Sequence, residues 1–406
     1  MKVKRAFAAL ALLALAIAAL VRRAAARLRA PDRVALYPHF EPADFTPELK
    51  EARTADGLTL RLKRYPNPGA TPLILMHGFS GNCYNYDLAF EEYNFALYLA
   101  RRGYDVWIAN FRGCGREPYK SDGGDFSHSI EDVTLLDVPA IVETVSSETG
   151  RKPVWIGHSM GAVAAYGYLQ GVTRVEEDGI RRLACDGATC EERHGSLAAL
   201  VSIAGPVAFH WPYDSRMYWV AGNPAARMAL RLARPLLGAL GRVAPQMPVE
   251  RSTVALVKVA PRLGPALLKQ TLRFFINMDN MTEETFRETV LSGSSDVSAT
   301  ETLQMVDAMI NRDFTEMAAA GPHVGRPHNF TEGVSEIHLP VLFVAGDLDP
   351  VNFKVLHEKG HEVVSSEVKE YRCFPDFSHI DLLVGREAPH TVYPFVADWL
   401  DNTIGV

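Results

Sequence analysis

One stretch constrains this chain more than any other: Val154-Trp155-Ile156-Gly157-His158-Ser159-Met160-Gly161. Its apolar start, with β-branched and aromatic residues, reads as the end of a buried strand. Gly-x-Ser-x-Gly follows, then Ala162-Val163-Ala164-Ala165-Tyr166, a good helix start. A strand turning sharply into a helix holds the central serine in a strained conformation with its hydroxyl exposed. Gly157 and Gly161 fit the two points where strand and helix backbones pass too close for a Cβ. The positive end of the following helix favours an oxyanion there. Ser159 is therefore the candidate nucleophile; the plain alternative is a bystander serine in a Gly-rich turn.

A neutral serine hydroxyl needs a base within hydrogen-bond reach, and a histidine needs a carboxylate to set its tautomer. In proteins that carry a strand–Gly-x-Ser-x-Gly–helix elbow the order along the chain is Ser, acid, His, each in a loop after a strand. Gly346-Asp347-Leu348-Asp349-Pro350 follows the apolar run Val341 to Ala345. Asp349, three residues past Gly346 and stiffened by Pro350, is preferred as the acid; Asp347 is its competitor. Ser378-His379-Ile380-Asp381 follows the run ending near Phe374 and supplies the base, His379. His357, His361 and His390 read as surface residues, His158 as packing and Asp381 as support for the base. The oxyanion should meet the N–H of Met160, next after the nucleophile, and that of Phe79 in the loop His77-Gly78-Phe79-Ser80-Gly81. No histidine spacing makes Cys83 or Cys114 a rival nucleophile. No cysteine spacing suggests zinc, and the chemistry needs no metal or organic cofactor.

Along the chain, Lys2, Lys4 and Arg5 precede an apolar run at residues 6–21, followed by Arg22, Arg23, Arg27 and Arg29. Basic residues after the run favour an uncleaved anchor over a cleaved signal. The expected organisation is an anchor at 1–30, a Pro-punctuated linker at 31–49, and a core at 50–205 and 336–406. A helical cap at 206–335 interrupts that core. Asp56-Gly57 marks a hairpin near its start. The alternating strand and helix patterns imply right-handed βαβ units and an α/β fold with a mostly parallel sheet. Arg227, Arg231 and Arg234 fall on one face of the cap and suggest contact with anionic lipid; solvated arginines are the plain reading. The net charge of −6 argues against a general nucleic-acid binder. Five cysteines do not make a disulfide framework, and the pairing of Cys185 with Cys190 stays open.

Beyond the elbow, FALYLARRGYDVWIANFRG at Phe95 to Gly113 resembles a stretch of the acid lipase family, the gastric and lysosomal lipases. Asp137-Val138-Pro139-Ala140 is similar to that family's "DLPA" helix, and Ser378 to Gly385 to its His-Leu-Asp-Phe-x-x-Gly segment. The elbow carries Met160 where the family usually has Gln, and the cap is not similar. The resemblance implies an α/β-hydrolase fold, serine ester hydrolysis and the same triad positions. The reading is an esterase or lipase acting on a lipid-like ester, membrane-associated through the anchor, or else secreted or periplasmic. The alternatives are an acyltransferase or polyhydroxyalkanoate depolymerase-like enzyme, and a non-catalytic binding scaffold.

Overall fold

The computed structural model describes residues 42–177, 180–259, 263–317, 327–352 and 354–405. The apolar run at 6–21 lies outside them; among the described residues no helix is long and apolar enough to cross a membrane.

Asp56-Gly57 turns as its sequence predicts, joining β1 (Glu48–Arg53) antiparallel to β2 (Thr59–Tyr65). Then come β3 (Pro72–Met76), β4 (Asp105–Ala109) and β5 (Val154–His158). A small separate hairpin, β6 (Val172–Glu177) with β7 (Ile180–Cys185), precedes β8 (Ala199–Ile203). A two-residue pair, β9 (Gln246–Met247) and β10 (Val297–Ser298), belongs to the cap. The core closes with β11 (Val341–Gly346) and β12 (Lys369–Phe374). The main sheet has eight strands in the order β1-β2-β4-β3-β5-β8-β11-β12, parallel from β4 onward.

The central strands are buried along their whole length, as parallel strands covered on both faces must be. Their side chains alternate between two apolar layers. Ile74, Trp107 and Trp155 pack under the helices Val138–Thr149 and Met160–Leu169. Leu73, Leu75, Val106 and Ile156 face the other way, onto Phe95, Leu99, Val396 and Leu400 of the helices Phe95–Arg101 and Val392–Ile404. The helix Val138–Thr149 has Pro139 in its first turn and ends on Gly150 at φ 68°, the start and stop that Pro and Gly favour. Cys185 and Cys190 are free thiols. The polar stretch that holds them reads as a loop in sequence but forms the β6–β7 hairpin and the helix Gly187–Ser196.

Between β8 and β11 the chain forms mainly helices, including Pro224–Val243, Val249–Val259, Leu263–Leu272, Glu283–Leu291 and Ala299–Asn311. They dock on loops that leave the carboxyl ends of the strands. Asn82, beyond β3, donates through Nδ2 to the carbonyls of Ser292 (2.9 Å) and Ser294 (3.2 Å). Arg234 makes a bidentate pair with Asp307, both bonds at 2.7 Å, so this arginine joins two cap helices instead of turning outward.

Buried acids line the contact between cap and core. Glu301 faces His128 at 3.6 Å, and Gln304 Nε2 donates to Glu131 at 3.1 Å. Burial pushes the Glu301 carboxyl up to about 8 and Glu131 up to about 7, and pushes His128 down to about 4. Each acid binds its proton more tightly when folded. Its contribution to stability is full below the unfolded value of 4.5 and is lost as pH rises through about 7 and about 8. His128, held neutral, acts in the opposite sense: its contribution is full above 6.5 and is lost as pH falls towards about 4. Above about 6.5, where His128 is neutral in both states, the melting temperature is therefore expected to fall as pH rises to about 8. Glu301→Gln combined with Glu131→Gln should flatten that slope in a thermal melt series. An unaltered slope in the double variant would rule these two carboxyls out.

Candidate active site

Ser159 sits between β5 and the helix Met160–Leu169 at φ 51°, ψ −117°, a backbone conformation that an L-residue adopts only under strain. The packing around the turn explains both glycines. A Cβ on Gly157 would lie 2.5 Å from the Ala162 nitrogen, and one on Gly161 would lie 2.4 Å from the Met76 carbonyl oxygen. The elbow read from sequence is thus a close approach of backbone to backbone.

Three residues distant in sequence meet here. His379 Nε2 lies 2.9 Å from Ser159 Oγ, and His379 Nδ1 lies 2.8 Å from Asp349 Oδ2. Asp349 is 1% exposed and His379 7%, so solvent hardly competes for either contact. The second oxygen of Asp349 accepts from the N–H groups of Val351 (2.8 Å) and Asn352 (3.1 Å). Asp347, the competing acid, is exposed. Nδ1 therefore carries the proton towards the carboxylate and Nε2 is free to accept from the serine.

The loop after β3 comes up against Ser159. A Cβ on Gly78 would be 2.9 Å from the Ser159 Cβ. The Gly78 carbonyl is turned away, accepting from His77 Nδ1 at 2.8 Å and from the Gly81 N–H at 3.1 Å. In a trans peptide the next N–H points opposite to the carbonyl, and here that N–H belongs to Phe79. His77 Nε2 accepts from the Phe111 N–H at 3.2 Å, so this ring's tautomer is set by its two neighbours. Burial pushes its pKa down to about 4 and keeps it neutral. Met160 is the first residue of its helix, where an N–H has no partner within the helix.

Several residues that matter here carry no strong local signal. His158 is buried, as its packing role requires, and its Nε2 also donates to the His379 carbonyl at 3.0 Å. Asn110 accepts from the Cys83 N–H at 2.8 Å and donates to the Tyr119 carbonyl at 2.9 Å, which fixes the loop beyond Phe79. Arg112 reaches the buried Asp137 through Nε at 2.8 Å and Asp56 through Nη1 at 2.9 Å. The sequence motif that contains Asn110 and Arg112 is thus a brace for the site and not part of its reacting centre. Cys83 and Cys114 are buried, and burial pushes the Cys83 thiol up to about 12, far from a reactive thiolate. Among the described residues no cluster of His, Cys, Asp and Glu is arranged to hold a metal.

The alpha/beta hydrolase fold family model matches residues 71–385. Gastric triacylglycerol lipase of Homo sapiens is 32% identical over 133 residues, 29% of this chain and 33% of that protein. Triacylglycerol lipase 2 of Arabidopsis thaliana is 27% identical over 206 residues, 47% of this chain and 44% of that one. The matched stretch thus spans about a third of the gastric lipase and under half of the plant protein. Among solved structures, a soluble variant of the monoglyceride lipase of Saccharomyces cerevisiae superposes with a TM-score of 0.54 at 14% identity, covering 90% of this chain and 98% of that one. The monoacylglycerol lipase of Paleococcus ferrophilus gives a TM-score of 0.51 at 14% identity, covering 88% and 99%. Since the family model spans the sheet from before β3 to beyond the turn that carries His379, the chain belongs to the alpha/beta hydrolase family.

Proposed function

We propose that this protein is a serine hydrolase of carboxylic esters with lipid-like acyl groups. The observation that carries the reading is the unbroken hydrogen-bonded line Asp349–His379–Ser159, at 2.8 and 2.9 Å. Ser159 Oγ attacks the ester carbonyl while His379 Nε2 takes its proton. Asp349 holds the imidazole tautomer and stabilises the imidazolium. The N–H groups of Phe79 and Met160 receive the oxyanion, the first aimed by the bonds to the Gly78 carbonyl, the second by its place at a helix start. His379 then protonates the leaving alcohol, and water repeats the sequence on the acyl-enzyme.

The substrate class rests on the surroundings. Phe79, in the loop that comes up against Ser159, and Met160, next after it, belong to one apolar layer of the core, a setting in which an acyl chain is at home. The names of the relatives, triacylglycerol and monoacylglycerol lipases, agree with an ester of this kind. The helices between β8 and β11 are the cap that selects it. Trp219, Val220, Met228 and Leu232 are exposed on that cap, and together with the apolar run at 6–21 they favour work at a lipid surface.

A fluorophosphonate probe tests the reading. It should label the wild-type chain covalently at Ser159, located by peptide mass spectrometry, with hydrolysis of soluble ester lost in parallel. A folded protein that stays unlabelled, or is labelled elsewhere, would defeat it.

A further inference from the structure

The turn that carries the base is held by more than the sheet. Its main chain runs beside a cap segment at residues 275–281, and the two are stitched together. The N–H groups of His379 and Ile380 both donate to the Phe275 carbonyl at 3.1 Å. The fully buried Asp381 carboxylate lies between the segments. One oxygen accepts from the Asn277 N–H at 3.1 Å; the other accepts from Asn280 Nδ2 at 3.2 Å and from the Ser378 N–H at 3.0 Å. Asn280 continues the seam, its carbonyl accepting from the Arg386 N–H at 2.7 Å and its Oδ1 from the Glu387 N–H at 3.0 Å. Asn277 Nδ2 donates to the Asp376 carbonyl at 2.7 Å.

A buried carboxylate is costly to keep, and among the described residues no cation pairs with this one; burial pushes it up to about 6. What the carboxylate provides is acceptor geometry. Two oxygens receive three donors, one from the residue just before the base and two from the cap. An asparagine in its place would turn an NH₂ onto at least one of those donors. The His379 carbonyl is meanwhile held by His158. The base is therefore fixed at its N–H by the cap and at its C=O by the elbow, independently of its side-chain contacts.

Resting on the reading that His379 is the general base, we infer that Asp381 is a positioning residue for it. The cap segment at 275–281 is part of the mount of the base and does not belong to a lid that swings clear of it. Movement of the cap that admits substrate then leaves residues 275–281 in place. Movement that carried Asn277 and Asn280 away would pull His379 off Ser159 and stop the reaction.

The test uses the full chain with Asp381→Asn and Asn280→Ala, singly and together, on a soluble p-nitrophenyl ester, with a thermal melt of each variant. Misplacing a reacting group by an ångström costs on the order of 10²-fold, so kcat of Asp381→Asn should fall by about that factor. Asn280→Ala should lose roughly tenfold in kcat, with KM in all variants within about twofold of wild type. The double variant should be no worse than the poorer single, because the same mount is broken twice. Asn280→Ala leaves the base turn's own sequence intact and decides the matter if Asp381→Asn does not fold. Wild-type kcat in either folded variant, a loss confined to KM, or losses that multiply in the double variant each overturn the inference. Fluorophosphonate labelling of the wild type runs in parallel. Absence of label defeats the Ser159 reading, whereas a labelled wild type with unaltered variants defeats only the mount.

Discussion

Ser159→Ala is expected to lower ester turnover by about 10⁶-fold while leaving the thermal melt within a degree or two of wild type. The loss is large because the hydroxyl is the group that forms the covalent bond, and water cannot be placed at its position by the same loops. The fold should be indifferent because little of the elbow depends on the hydroxyl. The strain at φ 51° is backbone strain that alanine bears as serine does. The Ser159 N–H stays bonded to the Ile203 carbonyl at 2.9 Å. His379 loses one contact and keeps Asp349, His158 and the Phe275 carbonyl. The small remaining rate should come from the oxyanion donors alone. Turnover and melting are both needed: a variant that hydrolyses at the wild-type rate ends the assignment, whereas one that merely unfolds would relocate the importance of Ser159 to the turn.

Asp349→Asn should cost about 10⁴-fold in kcat with little change in KM, for a reason specific to this loop. One oxygen of Asp349 accepts from two backbone N–H groups, those of Val351 and Asn352. The amide of an asparagine would keep its oxygen there, since its NH₂ would meet two donors head-on. That choice sends the NH₂ towards His379 Nδ1 and makes Nδ1 an acceptor. The ring proton then sits on Nε2, which can no longer take the proton of Ser159. Steady-state kinetics together with imidazole nitrogen chemical shifts would reveal the swapped tautomer. A variant with near-wild-type kcat would mean that Asp349 is not what sets the ring.

Local chemistry made part of this legible. The elbow follows from two glycines flanking a serine between an apolar strand and an Ala-rich helix, all within one turn of chain. Asp349 and His379 could be chosen because each follows a strand, the first an apolar run and the second a more polar one, and strands of a parallel sheet deliver their loops to one end. Its place three residues past Gly346 and before Pro350 favoured Asp349 over Asp347, which is exposed.

The partners of those residues were not legible. Asp381 meets Asn277 across 104 residues, and Arg234 meets Asp307 across 73. No periodicity encodes which helix faces which at such separations, so three arginines on one helix face resembled a lipid-binding stripe although one of them pairs within the cap. His158 looks like a packing residue because its acceptor is a backbone carbonyl supplied by another loop. The hairpin and helix around Cys185 and Cys190 were masked by polar composition.

Sequence alone determined which side chains are candidates for the chemistry and which turns present them, because strand pattern, turn stereochemistry and order along the chain are local properties. Only the tertiary structure decided how the base is held and what the cap is fastened to. Those depend on hydrogen bonds between segments that become neighbours only after the sheet has formed and the cap has closed over its carboxyl edge.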